Sequence, residues 1–343
     1  MSVHIHRVAR LLSSAPTLAV NSPVNQSPLA QGAFAALFIA VIGPASPAAQ
    51  PHQDATSRCN VLFIAIDDLN NWVSALGNHP DAKTPNIDRL AKSGVLFSNA
   101  HCAAPACNPS RVSVMTGMWP SSRGVYLNGQ DWRDSNRLKN VVTLPEHFRN
   151  NGYEVHGGGK LYHAASISEW GFEGYLDPDP WDTFFPSKNR QLADEALPAE
   201  VPANGTKDFY RGFFDWAALE IDDSEMGDAK VVSWAEEHLS REHDKPLFLA
   251  VGIYRPHIPF YSPASYFDLY PEDEITMPVI QKDDLDDVPE AGQDMARRDW
   301  HQWMTDENKW RDYVRGYLAA MTFADAMVGR LMDALENGPM SDN

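Results

Sequence analysis

Two short apolar runs constrain the fold more than any other feature of this chain. Asn60-Val61-Leu62-Phe63-Ile64-Ala65-Ile66 and Pro246-Leu247-Phe248-Leu249-Ala250-Val251-Gly252 are continuous rather than alternating, and rich in branched side chains. A strand with one wet face alternates apolar and polar residues, so a run without alternation reads as a strand covered on both faces of a parallel sheet. Helical punctuation supplies the cover. Thr84 reads as a cap, Pro85 as first turn and Gly94 as the stop of one helix; Thr143-Leu144-Pro145-Glu146 opens another that closes at Asn151-Gly152. A third helix is expected from about Asp228 to Leu239, and a long amphipathic one from about Trp310 to Asn337. Val95-Leu96-Phe97 and Tyr153-Glu154-Val155-His156 read as further strands. The predicted class is α/β, a mostly parallel sheet flanked by helices on both faces.

At 343 residues, 43% of them hydrophobic, the chain can bury a large core. Its formal charge of −18 argues against nucleic acid as a partner, which would need a basic face. Residues 1–49 differ from the rest: Arg7 and Arg10 stand unopposed by acids, and an apolar run from Ala33 to Ile42 leads to Ala48-Ala49. A bilayer span takes about 20 apolar residues, so the expectation is a cleaved leader, no membrane span, and a secreted or periplasmic protein. Residues 50–343 are then the globular part. Cys59, Cys102 and Cys107 cannot make a disulfide framework; two buried thiols at Cys59 and Cys102 are expected, a bond between them being the alternative.

Ligands of open α/β sheets gather at the carboxyl ends of strands. Asp67-Asp68 closes the first run, and two adjacent carboxylates suit a hard cation as well as they suit an acidic turn. Gly157-Gly158-Gly159 would let backbone approach a ligand, and Lys160 follows with His163 three residues on. Arg255-Pro256-His257-Ile258-Pro259-Phe260 leaves the second run, its prolines pinning His257. Cys107-Asn108-Pro109-Ser110-Arg111 begins a helix, which puts the sulfur beside free N–H groups and allows Arg111 to turn back towards it. Taken singly, each of these residues is as consistent with packing or an ordinary surface as with chemistry.

Together they resemble one family. Cys107-x-Pro109-Ser110-Arg111 with Thr116-Gly117 behind it is similar to the signature of the type I sulfatases, and so are Thr84-Pro85-Asn86-x-Asp88, Gly159-Lys160-x-x-His163 and Pro256-His257-Ile258-Pro259-Phe260, the last as in iduronate-2-sulfatases with Arg255 in place of lysine. The resemblance covers about Cys59 to Met340 and implies the alkaline-phosphatase-like architecture. It also implies that Cys107 is converted by a formylglycine-generating or equivalent maturation enzyme. The aldehyde hydrate then attacks sulfur, and its second hydroxyl expels the sulfate. Ca²⁺ would be bound by Asp67, Asp68 and residue 107; Arg111, Lys160 and His163 would bind sulfate or steady residue 107, and His257 would protonate the leaving alcohol. The substrate expected is a sulfated carbohydrate, as in glycosaminoglycans, and the region from Ser166 to Asp223 would shape its pocket.

After the long helix the family continues into a strand ending Asp-His-Gly or Asp-Asn-Gly, with two more calcium ligands. This sequence stops at Asn343, so residues 50–343 are expected to form an incomplete catalytic domain with its carboxyl-terminal part missing. Calcium takes about 6–8 oxygens. Two other readings stay open: an inactive fragment or non-catalytic sulfated-glycan binder, and a phosphatase or phosphodiesterase of the same superfamily, which would use Thr or Ser as nucleophile.

Overall fold

The computed structural model describes residues 58–164, 175–209, 212–296 and 298–342; the leader expected at 1–49 lies outside them. Six strands form among these residues: β1 (Val61–Ile66), β2 (Glu154–Gly159), β3 (Thr183–Phe185), β4 (Trp216–Leu219), β5 (Leu247–Ile253) and β6 (Phe260–Pro263). Four make a parallel sheet in the order β1-β5-β2-β3, and β4 pairs with β6, also parallel. Around them lie α1 (Pro85–Ser93), α2 (Cys107–Thr116), α3 (Pro120–Arg123), α4 (Leu144–Asn150), α5 (Gly227–Leu239), α6 (Ala264–Phe267), α7 (Glu290–Met295), α8 (Arg298–Asp306) and α9 (Trp310–Asn337). No helix of the described residues is long and apolar enough to cross a membrane.

The absence of alternation in β5 has the physical cause expected. Leu247, Leu249, Val251 and Ile253 pack with Val231, Val232 and Ala235 of α5 and Met327, Val328 and Leu331 of α9. Phe248 and Ala250 point the other way, into a cluster with Val112 and Met115 of α2 and Phe148 of α4. Leu62, Ile64 and Ile66 of β1 extend the first cluster and Val61, Phe63 and Ala65 the second. Burying one such side chain contributes about 1.5–3 kcal/mol, so both faces stabilise the same register.

Several local expectations are corrected. The glycines of β2 make room for packing rather than for a ligand: a Cβ at Gly157 would stand 2.6 Å from the Trp181 ring, and one at Gly158 2.8 Å from that of Trp234. Thr84 precedes α1, yet its hydroxyl bonds Ser74 Oγ at 2.7 Å instead of the helix. The capping acceptor is Asp325 of α9, whose carboxylate takes the N–H groups of Asn86 at 3.1 Å and Ile87 at 2.8 Å. Val95-Leu96-Phe97 is no strand, for it has no paired neighbour and its Val95 and Phe97 side chains are 80% and 77% exposed. Cys59 and Cys102 are free and exposed rather than buried. β3, β4 and β6 went unrecognised because three or four residues carry too little period to read.

Candidate active site

A parallel sheet delivers all its carboxyl ends to one edge, and four chain segments meet there. β1 ends in Asp67-Asp68, β2 in Lys160, β5 leads to Tyr254-Arg255-Pro256-His257, and α2 points its first residue, Cys107, at them. Asp68 sits in a left-handed turn at φ 52°. Tyr317 of α9 steadies this turn, its hydroxyl donating to the Asp68 carbonyl at 3.1 Å and accepting from Asn70 N–H at 2.8 Å. A cavity of about 260 Å³ opens over the edge, lined by Asp67, Asp68, Cys102, Cys107, Ser110 and Arg111 among others.

Asp67 is the hub. Arg111 reaches one of its oxygens at 2.8 Å and Lys160 forms an ion pair with the other; all three side chains are buried. Burial works against its charge, but Lys160, Arg111 and His257 together hold the carboxyl well below the usual range. Arg111 acts on the nearby sulfur by its charge and is anchored by two other partners. Its guanidinium spans Asp67 and the Lys160 carbonyl, tying α2 to the ends of β1 and β2. Lys160 also lies 4.4 Å from the centre of the Tyr254 ring, a second interaction that compensates its burial.

Cys107 Sγ lies 3.9 Å from Asp67 Oδ2. Burial pushes the thiol up to about 11, and the charges of Asp67 and Asp68 add to this while Lys160 and Arg111 oppose it. At neutral pH the sulfur is a thiol, and a thiolate nucleophile is not what this environment makes. Asp68 is raised to about 6, by burial first and by Asp67 second. His257 has burial, then Lys160, to thank for a fall to about 3. Its Nδ1–H donates to the Ile258 carbonyl at 2.5 Å, which leaves Nε2 bare and 3.6 Å from Asp68 Oδ2. The ring is thus neutral at rest and gains a proton before it can donate one. His163 is lowered to about 4, by burial and then by the charge of Lys160.

The ligand atoms of Asp67, Asp68, Cys107 and His257 all lie within 4.8 Å of one another. Three of these are the metal ligands expected from sequence, and His257 joins them. What sequence reasoning missed is the frame behind His257. Asp228, in the first turn of α5, accepts the N–H groups of Tyr254 at 2.7 Å and Arg255 at 2.9 Å. Arg255 is fully buried, donates to Glu195 at 2.8 Å and to the Tyr261 carbonyl at 2.7 Å, and holds the segment from behind. An acid in a first turn looks like a dipole partner, and nothing local says which strand end it faces.

Asp228 makes a pH prediction. Burial raises its pKa to about 6 despite Arg255 and the two N–H donors. The folded state therefore binds a proton that the unfolded state, with a carboxyl near 3.9, has already lost. The contribution of this group to stability is largest below pH ~3.9, falls as pH rises towards about 6 and is flat above. Asp228→Asn should flatten the pH 4–6 slope of the unfolding midpoint by about 1–3 kcal/mol; an unchanged slope in urea titrations would refute the account.

The sulfatase family's sequence model matches residues 59–343. The chain is 38% identical over 308 residues to a sulfatase of Formosa agariphila, covering 85% of this chain and 58% of that one. It is 28% identical over 313 residues to iduronate 2-sulfatase of Homo sapiens, covering 82% of this chain and 52% of that one. A solved phosphonate monoester hydrolase of Agrobacterium radiobacter shares the fold, with a TM-score of 0.61 at 21% identity over 83% of this chain and 60% of the other. The chain thus spans a little over half the length of the two sequence relatives. With the model matching nearly all of the described residues, the chain belongs to the sulfatase family.

Proposed function

We propose a sulfuric ester hydrolase acting on a sulfated carbohydrate, with residue 107 as nucleophile after conversion of Cys107 to formylglycine. The observation that carries this reading is a cysteine held as a buried thiol at a helix N-terminus, 3.9 Å from a carboxylate that Lys160 and Arg111 keep ionised. A thiol so placed is a poor nucleophile, whereas an oxygen nucleophile at the same point faces the cavity. Cys107, Pro109 and Arg111 are all buried. A maturation enzyme would therefore read them before the chain folds.

Ca²⁺ fits this corner. Lys160 and Arg111 are both committed to Asp67, and Asp68, raised to about 6 by burial and by Asp67, is a carboxylate whose charge a hard cation would stabilise. Asp67, Asp68 and the oxygen of converted residue 107 would hold the ion, which would supply charge neutralisation at the sulfate. Lys160 and Arg111 fix Asp67 in place and keep it charged. In the first turn of α2 the Asn108 N–H is taken by Asn128 Oδ1 and the Ser110 N–H by the Ala106 carbonyl, both at 3.0 Å, and Pro109 has none, so the helix would favour the anion through its dipole. His257 offers a bare Nε2 3.6 Å from Asp68 Oδ2, so it takes up a proton before it can give one to the leaving alcohol. His163 would steady residue 107, the role that the family resemblance gives it. The arginine-bearing, apolar leader supports export to the periplasm or beyond.

The test is production of the chain with and without a formylglycine-generating enzyme, followed by peptide mass spectrometry and turnover of 4-nitrophenyl sulfate. Exchange of sulfur for oxygen at residue 107, in step with sulfate release, is expected. Faster turnover of 4-nitrophenyl phosphate, with an unmodified cysteine, would overturn the proposal.

A further inference from the structure

A second set of metal-binding side chains converges at the far end of β2, six residues before Lys160. Glu154 opens the strand and His156, two residues on, shares its face. His243 arrives from the loop that precedes β5. His156 Nε2 lies 2.6 Å from Glu154 Oε1, and His243 Nδ1 lies 3.1 Å from Glu154 Oε2. Both imidazoles are buried, at 3% and 4% exposure, and the carboxylate keeps one side to solvent.

Hydrogen-bond accounting at His243 is the informative part. Its Nε2 lies 2.9 Å from the His238 carbonyl, which can only accept, so that nitrogen carries the hydrogen. In the neutral ring the Nδ1 lone pair then faces a carboxylate oxygen, another pure acceptor. Two acceptors face each other across 3.1 Å, and a cation between them resolves the contact. His156 Nδ1 meets the Thr183 hydroxyl at 2.7 Å. That hydroxyl can accept as well as donate, which frees Nε2 to act as a ligand.

We propose that Glu154, His156 and His243 form a binding site for a divalent transition metal, Zn²⁺ foremost, that clamps the start of β2 to the loop before β5. Two imidazoles and a carboxylate are a zinc donor set, and open water on the Glu154 side leaves a fourth position. The His238 carbonyl and Thr183 hydroxyl orient the two rings from behind, as partners of metal-bound histidines do. Bonds of about 2.0–2.1 Å in tetrahedral geometry need donor atoms about 3.3 Å apart, so His156 Nε2 and Glu154 Oε1, 2.6 Å apart, separate by about 0.7 Å on binding. Arg241 opposes the ion from 4.0 Å on Glu154, and being half exposed it can swing into solvent. The charge of Asp182 also favours a cation at His156. The site shares no residue with the active site.

Co²⁺ is the probe, because its visible absorption reports geometry and ligand type. In the Cys107→Ser chain, which removes sulfur from the active-site cluster, one equivalent should give an intense tetrahedral band without thiolate charge transfer. His243→Ala should lose that equivalent and Asp68→Asn should keep it. Glu154→Gln, which preserves shape and removes only charge, should weaken binding at least tenfold and guards against misfolding of the alanine variant. A band that survives both His243→Ala and Glu154→Gln overturns the proposal, as does failure of the parent chain to bind Co²⁺, in which case a proton resolves the His243 contact.

Discussion

Cys107→Ala abolishes sulfate ester turnover, by a factor on the order of 10⁴ or more, and leaves the fold intact. The expectation follows from the position of residue 107, the one point where a nucleophile would meet the α2 N-terminus, the Asp67-Asp68 corner and the cavity together. Binding groups alone leave some catalysis over water, but they supply no covalent intermediate. The structural cost is small. The side chain lies at the cavity wall, and losing one sulfur atom costs about 1 kcal/mol, with Asp67 still held by Lys160 and Arg111. Matched circular dichroism melts and turnover assays on the converted protein check both halves. Wild-type turnover by the variant would place the nucleophile elsewhere; a collapsed melt would mean that residue 107 is structural.

Arg255→Ala costs about 3–5 kcal/mol of stability, the usual result of stripping one partner from a buried ion pair. Glu195 would keep a largely buried charge with no counter-ion, and the Tyr261 carbonyl would lose its donor. Asp228 would lose the cation that favours its ionised form. Arg255→Lys retains the charge but not the fork that serves Glu195 and Tyr261 at once, so an intermediate loss is expected. The double variant Arg255→Ala, Glu195→Gln should recover part of the deficit, because the stranded charge is then gone. Urea unfolding of the four proteins measures this. A loss below about 1 kcal/mol for Arg255→Ala would show that the pair is dispensable. The same segment carries His257, so turnover should fall along with stability in each variant.

The resemblance had placed Arg255 in the position of a family lysine, next to the site, and the structure gives it a supporting role behind that site. Arg111 was read from sequence as a neighbour of the sulfur, and the structure adds an ion pair with Asp67 that the sequence did not reveal. Both differences have one origin. A long cationic side chain can reach several acceptors, and which one it meets depends on elements that arrive from elsewhere in the chain. Thr84 makes the same point at a helix end, where residue type predicts a cap and Asp325, 239 positions beyond Asn86, does the capping.

β1, β5, α4, α5 and α9 were legible from sequence, and so were the strand-end carboxylates and the cysteine at the head of α2. These follow from local rules: burial on both faces appears as unbroken apolar residues, and helix ends carry proline, glycine and capping polar groups. The short strands, the packing role of the β2 glycines, the neutral state of His257 and the cluster of Glu154, His156 and His243 were decided only in three dimensions. Charge state and partner choice depend on burial and on distances between segments far apart in the chain, and no local pattern of residue types encodes either.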